Sequence, residues 1–265
     1  MLEVKGYSSS GVGTCLTVMK PYQLVLDMGF TTPESFRVQT VLLTHSHLDH
    51  VAGVVSHAIT RGLVGAKPSR FVCSSETALF VKEMLEVCSK YQPLRYTIVE
   101  VNPDEELCLG QNLYLKAFAN PHRVASQGYA LVRKKRVFRE EFNALSPDEK
   151  REYRQTVAPE YKETVLLVYM GDTLSEGLLH PLVAKAEALV TECTFVGSYP
   201  VEKAREKGHT HVKELVEILP RLQAKEVYLM HFSQRHGRAE LREALEALPP
   251  HVKGLTKGGG PVRGW

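Results

Sequence analysis

The chain reads as an α/β protein, one domain of stacked β-sheets clad by helices, and three observations predict it. Short apolar and β-branched runs bounded by turns crowd the first third. From Thr164 onward, strand-like and helix-like segments alternate. Neither an internal repeat nor a Pro/Gly-rich linker divides residues 1–265. At 43% hydrophobic and 24% charged, the composition is that of a soluble globular chain, long enough to bury a large core. No apolar run approaches the ~18 residues of a membrane-spanning helix. The first residues, MLEVKGYSSSG, lack the basic-then-apolar order of a secretory leader. Net charge is +3, which permits an anionic substrate without demanding one. The five cysteines (Cys15, Cys73, Cys88, Cys108, Cys193) are odd in number and form no CxxC pair. They point to reduced, mostly buried thiols in a cytoplasmic protein.

Taken in order, 14–19 (TCLTVM) and 22–27 (YQLVLD) are β-rich runs flanking Lys20-Pro21, which reads as a hairpin connection. Residues 39–44 (QTVLLT) form a nearly continuous apolar run, as a strand covered on both faces would. Helix is expected over 50–63, where Gly53 would let it approach the sheet closely, and over 75–91. The latter carries Ala78, Leu79, Met84, Leu85 and Cys88 at helical spacing. Strands are expected at 95–101 and 112–119. A polar stretch at about 133–162 reads as a charged surface insertion, with a helix-start signal at Ser146-Pro147-Asp148-Glu149. Strands at 164–170, 188–192 and 226–231 then alternate with helices at 178–187, 211–219 and 238–247, and the terminal stretch 254–265 (GLTKGGGPVRGW) reads as mobile.

The strongest chemical signal is His45-Ser46-His47-Leu48-Asp49-His50, four metal-capable side chains within six residues, directly after an apolar strand. Alternate residues of an extended stretch point the same way, so His45 and His47 face one metal. The turn that follows presents Asp49 and His50 to a second. Imidazole nitrogen and carboxylate oxygen suit Zn²⁺, and also Mn²⁺ or Fe²⁺.

His-x-His-x-Asp-His after a strand resembles the signature of the metallo-β-lactamase superfamily. That resemblance implies an αββα sandwich, two mixed sheets flanked by helices, with a two-metal site on the edge between the sheets. It also implies three later ligands, and each has a match in order: His122 in Asn120-Pro121-His122, Asp172 in Met170-Gly171-Asp172-Thr173, and His231 in Leu229-Met230-His231-Phe232. On this resemblance His45, His47 and His122 hold one metal and Asp49, His50 and His231 the other. Asp172 and a water or hydroxide bridge the pair. Two cations sharing a water lower its pKa toward neutrality and clamp the reacting oxygens.

A second set is similar to the ribonuclease Z branch of that superfamily: Gly208-His209-Thr210 before a helix, Thr191-Glu192-Cys193-Thr194-Phe195 after a strand, and His122 followed by Gly128-Tyr129. In that branch a His of this loop supplies a proton to the leaving oxygen and a Glu positions it. By that resemblance His209 is the general acid, Glu192 its orienting carboxylate, and Asp49 a ligand that also accepts a proton from the nucleophile. The implied activity is hydrolysis of an RNA phosphodiester, with removal of 3′ trailers from precursor tRNA foremost. Dimerisation is common in the family, so a homodimer is among the expected states.

The sequence also departs from that branch. The family's N-terminal Pro-x-Lys-x-Arg-Asn loop has no match, since Ser8-Ser9-Ser10-Gly11-Val12-Gly13 stands there. Only 49 residues (123–171) lie between His122 and Asp172, too few for the family's long tRNA-gripping arm. What remains is Arg133-Lys134-Lys135-Arg136-Val137-Phe138-Arg139, either a phosphate-contacting run or a solvated charged face. Two alternatives therefore stay open: a metallo-hydrolase of small esters, lactones or cyclic nucleotides, and a non-catalytic nucleic-acid-binding or scaffold subunit.

Overall fold

A computed structural model describes residues 2–255, so the end of the C-terminal stretch, from Thr256 on, lies outside the described residues. The first sheet takes β1 (Val4–Ser9), β2 (Gly13–Val18), β3 (Leu24–Leu26), β4 (Thr40–Leu42), β5 (Ser69–Cys73) and β6 (Tyr96–Glu100), side by side in chain order. The first three pair antiparallel and need only turns, including the expected connection at Lys20-Pro21. From β3 to β6 the pairing is parallel and needs crossovers. Helices α1 (Leu48–Val51), α2 (Val54–Leu63) and α3 (Ser75–Ser89) lie in those connections.

The second sheet holds β7 (Glu106–Gly110), β8 (Leu113–Asn120), β9 (Ser126–Val137), β10 (Glu160–Tyr169), β11 (Ala188–Glu192), β12 (Glu226–Met230) and β13 (Val252–Gly254). It runs antiparallel as far as β10 and parallel beyond it. Helices α4 (Glu141–Ala144) and α5 (Pro147–Thr156) sit on the β9–β10 connection. Farther on come α6 (Pro181–Ala184), α7 (Val201–Glu206), α8 (Val212–Ile218) and α9 (Arg238–Glu246).

Strand periodicity of two sorts the core into layers. Leu42 and Val72 turn inward to meet Leu115, Leu131, Tyr169 and Met230 of the opposite sheet. Their neighbours Val41, Leu43, Phe71 and Cys73 turn outward against Val54, Ala58, Val81 and Leu85 of α2 and α3. On the other flank, Val168, Leu189 and Leu229 pack with Leu215, Leu241 and Leu245 of α8 and α9. Each large side chain buried in this way contributes on the order of 1.5–3 kcal/mol. The result is helix, sheet, sheet, helix. β4 is covered on both faces, as its unbroken apolar run predicts.

Several expectations are refined. The 50–63 helix breaks at Ala52-Gly53 into α1 and α2, and a Cβ on Gly53 would meet the Phe30 backbone at 2.8 Å. Its close approach is thus to the loop after β3 rather than to the sheet. Leu79 is 63% exposed, and α3 buries Thr77, Ala78, Val81 and Leu85 instead. The 178–187 segment is a 3-10 turn (Ser175–Leu179) followed by the single turn of α6. Strands β1, β5, β7 and β13 escape the sequence reading because they are short, three to six residues each, and β9 because its outer end is the charged segment Arg133 to Val137. The charged 133–162 segment is not wholly a loop: Arg133 to Val137 and Glu160 to Thr164 pair in register as an extension of β9 and β10. The helix signal inside it is real, and Ser146 caps α5 in a capping box with Glu149.

Candidate active site

Every proposed ligand sits at the C-terminal end of a strand or just beyond it. β4 runs into His45 and His47 and then into α1, which carries Asp49 and His50. β8 leads to His122, β10 to Asp172 and β12 to His231. At these exits the backbone turns sharply. Asp27, Gly171 and His231 have φ of 53°, 65° and 64°, which aims the side chains beyond each strand into one place. Gly171 is needed twice over, since a Cβ there would also lie 2.6 Å from the Thr44 side chain.

The structure brings all seven expected side chains together. Ligand atoms of His45, His47, His122 and Asp172 lie within 4.8 Å of one another, and so do those of Asp49, His50 and His231. Asp172 belongs to both halves: its Oδ2 is 3.7 Å from His45 Nε2 and 3.4 Å from His50 Nε2. Asp49 is held at Oδ2 by the Gly11 N–H at 2.8 Å, with His231 Nε2 at 3.3 Å.

The hydrogen bonds outside the cluster decide which nitrogen faces in. His50 Nδ1 meets Asp27 Oδ2 at 2.7 Å, and His122 Nδ1 meets the Gly208 carbonyl at 2.8 Å. His45 Nδ1 meets the Thr44 hydroxyl at 3.0 Å, which donates to Asp27. His231 Nδ1 meets the Thr194 hydroxyl at 2.9 Å, which donates to Glu192. With Nδ1–H donating outward, each Nε2 turns a lone pair inward. His50 Nε2 and His231 Nε2 then face each other at 3.2 Å, while His122 Nε2 and Asp172 Oδ1 are buried with no hydrogen-bond partner. Buried lone pairs aimed at one another are costly unless a cation lies among them.

Burial lowers the pKa of His45, His47 and His122, leaving neutral imidazoles. His50 differs: the Asp172 and Asp27 carboxylates outweigh its burial and raise its pKa, so it carries a proton that a bound cation would displace. Burial opposes charge on Asp172 as well, but His231 and His50 hold its carboxyl well below the usual carboxylate range. Neutral nitrogens and ionised oxygens are the donor set of a borderline divalent ion such as zinc.

Beside this cluster, Glu192 at the end of β11 is fully buried. Its Oε1 accepts from the Thr173 N–H at 2.8 Å and from His209 Nδ1 at 2.9 Å, and its Oε2 accepts from the Thr210 N–H at 3.2 Å. Burial disfavours an imidazolium at His209, yet the Glu192 carboxylate outweighs it and pushes the pKa up to about 9. His209 Nδ1 is 3.9 Å from Asp172 Oδ2, and the His209 ring lines an open cleft of about 350 Å³ with His47 and His122.

Other sequence signals find structural uses. The Tyr129 hydroxyl lies 2.7 Å from the Leu43 carbonyl, tying the two sheets together away from the cleft. His57 is buried against the Ser35 and Val38 carbonyls, and His211 caps α8. Part of the basic run is neutralised or tied down. Lys134 pairs with Glu106 at 2.7 Å, Arg139 with Glu160 at 3.0 Å, and Arg136 donates to two backbone carbonyls. Asp27, Thr44 and Thr194 were missed as site residues. Asp27 left a readable trace: Leu24-Val25-Leu26-Asp27, a carboxylate closing an apolar run, repeats the pattern that marks Asp172.

Comparison with known proteins agrees with this geometry. The profile of the beta-lactamase superfamily domain matches residues 28–232. The chain is 30% identical over 268 aligned positions to the tRNase Z TRZ1 of Arabidopsis thaliana, covering 96% of this chain and 95% of that protein. Among solved structures, the metallo-beta-lactamase fold protein YhfI of Bacillus subtilis is similar with a TM-score of 0.65 and 16% identity, over 98% of this chain and 99% of that one. The short form of human tRNase Z is similar with a TM-score of 0.62 and 18% identity, over 89% and 92% of the two chains.

Proposed function

The chain belongs to the beta-lactamase superfamily and, within it, to the ribonuclease Z-like metal-dependent hydrolases; from that premise we propose that it cuts RNA phosphodiesters, removing 3′ trailers from precursor tRNA. The observation that carries this reading is the buried Glu192 carboxylate on His209 Nδ1, which turns the other ring nitrogen to the cleft beside the Asp172 cluster. Hydrolysis of a phosphodiester releases an alkoxide, and an acid at that spot is what the leaving oxygen needs.

His45, His47 and His122 would hold one divalent cation, Asp49, His50 and His231 a second, with Asp172 shared; when bound, two zinc ions lower the pKa of coordinated water and neutralise phosphoryl oxygens. Asp49, ionised and oriented by the Gly11 N–H, accepts the proton that the attacking water loses. His209 gives its proton to the departing O3′, and Glu192 stabilises the imidazolium beforehand and fixes the ring plane. Asp27 and the two threonines hold the imidazoles in one tautomer.

The test is incubation of metal-loaded protein with a precursor tRNA and, in parallel, with bis(p-nitrophenyl) phosphate and a lactone. Trailer release with a 3′-hydroxyl product is expected, and His209→Ala should slow it by roughly 10²–10⁴-fold with metal content intact. Lactone opening alone would overturn the reading in favour of a small-ester hydrolase.

A further inference from the structure

The cleft does not end at His209. Phe195, Ser233 and Arg235 line it as well, Arg123 and Lys207 add two more cations, and no carboxylate lines it. Some cations outside the cleft are tied to carboxylates, Lys134, Arg139 and Arg205 among them. Arg123, Lys207 and Arg235 are exposed, and none forms an ion pair among the described residues. Arg235 is nonetheless held in place. Its Nε donates to Ser233 Oγ at 3.1 Å, and its guanidinium lies 5.5 Å from the centroid of Phe195 and 5.1 Å from that of Tyr199. Those two rings are stacked at 4.1 Å with 9° between their planes. A planar cation fixed on an aromatic stack, with its outer N–H groups unpaired, is preorganised for a phosphate and offers a face to a base.

Position gives the subsite its place along the strand. His209 lies between the two ends of the cleft, its ring 5.3 Å from His122 and 6.0 Å from Phe195. If His209 protonates the leaving O3′, the nucleoside bearing that oxygen lies on the Phe195 side. We propose that this end of the cleft is a subsite for the phosphate one nucleotide 5′ of the scissile bond, held by Arg235 and Lys207, with the intervening nucleoside against the guanidinium. The inference rests on the phosphodiesterase reading and deepens it. The substrate is a strand with a phosphate upstream of the cut, not an isolated ester.

The experiment compares metal-loaded wild type and the Lys207→Ala/Arg235→Ala double variant on three diribonucleotides: 5′-hydroxyl, 5′-phosphorylated and 3′-phosphorylated. In the wild type the 5′-phosphate should raise kcat/KM at least about tenfold, as hydrogen bonds to a charged group allow. In the variant the ratio of 5′-phosphorylated to 5′-hydroxyl substrate should fall toward one, whatever the absolute rates. Higher salt should compress the wild-type ratio, with a log–log slope of about −0.7 per neutralised phosphate. Calorimetry on metal-free protein with a nucleoside 5′-monophosphate should show the same loss of affinity in the variant. A wild-type ratio of one, a ratio untouched by the substitutions, or a variant-sensitive gain from the 3′-phosphate instead would each overturn the subsite while leaving hydrolysis in place. Failure to cleave any phosphodiester, bis(p-nitrophenyl) phosphate included, would overturn the underlying reading and the subsite with it.

Discussion

Glu192→Gln isolates the charge behind the proposed acid. Glu192 is buried, and His209 is 14% exposed at its side chain, so water screens their interaction little. With the carboxylate present the imidazole titrates at about 9, against an ordinary 6.5. Without it, burial acts on His209 against Asp172 alone, and the pKa drops by about 2.5 units or more, roughly 3 kcal/mol of imidazolium stabilisation. At pH 7.5 the protonated fraction falls from about 97% to about 9%, a tenfold loss of active acid. The sign follows from the role: the protonated ring is the working form, so activity is lost as pH rises through the pKa. Cations bound at Asp172 would lower both values together, so the displacement between the two proteins is the quantity to read. The amide also cannot accept from both the Thr173 and Thr210 N–H groups and from His209, which costs about 1–3 kcal/mol of stability for a donor left unpaired. Thermal midpoints and metal content should therefore accompany the pH–rate profiles. An alkaline limb that stays where it is in the wild type, at any absolute rate, refutes the assignment of His209 as the acid oriented by Glu192.

Other consequences are as direct. Metal-replete protein should carry about two transition-metal equivalents by mass spectrometry, Asp172→Asn fewer, and chelation should lower the thermal midpoint; a wild-type stoichiometry near zero would defeat the ligand assignment. His57 has a folded pKa of about 4, set by burial, against 6.5 unfolded. The unfolded chain therefore takes up the proton first, and stability present above pH 6.5 is lost as pH falls toward 4. Relative to His57→Asn, the wild type should lose about 2.5 kcal/mol more between pH 7.5 and 4.5 in denaturant titrations, and parallel curves would disprove it. A Cβ on Gly29 would lie 1.9 Å from the Asp49 carbonyl oxygen. Gly29→Ala should thus cost about 1–3 kcal/mol and reduce metal content by displacing the Asp49–His50 turn, whereas a wild-type midpoint and full metal content would show that the two backbones are not so close.

What could be read from the chain was what is local. The spacing of His45, His47, Asp49 and His50 after an apolar strand states donor type and direction within one short stretch, and Asp172 and His231 each close an apolar run. β4 and β11 are legible because buried parallel strands are largely apolar. The edge strands β7 and β13 are short or half-exposed, so their pattern merges with that of loops. Charge misleads for a similar reason. Arg133 to Arg139 looks like a phosphate-binding run until the register of β9 against β10 sets Glu163 opposite Lys134, and Glu106 of β7 completes the pairing. The unpaired cations at the cleft, Arg123, Lys207 and Arg235, come from three distant segments, and no window of sequence contains them together. Donor chemistry and strand direction are thus properties of a few neighbouring residues, and the chain alone determined them. Which lone pairs lack a partner, which acceptor stands behind each imidazole, and which cations remain free depend on groups far apart in the chain, such as His50 and His231, 181 residues apart. Only the packing of the two sheets face to face, which brings their strand ends together, could decide them.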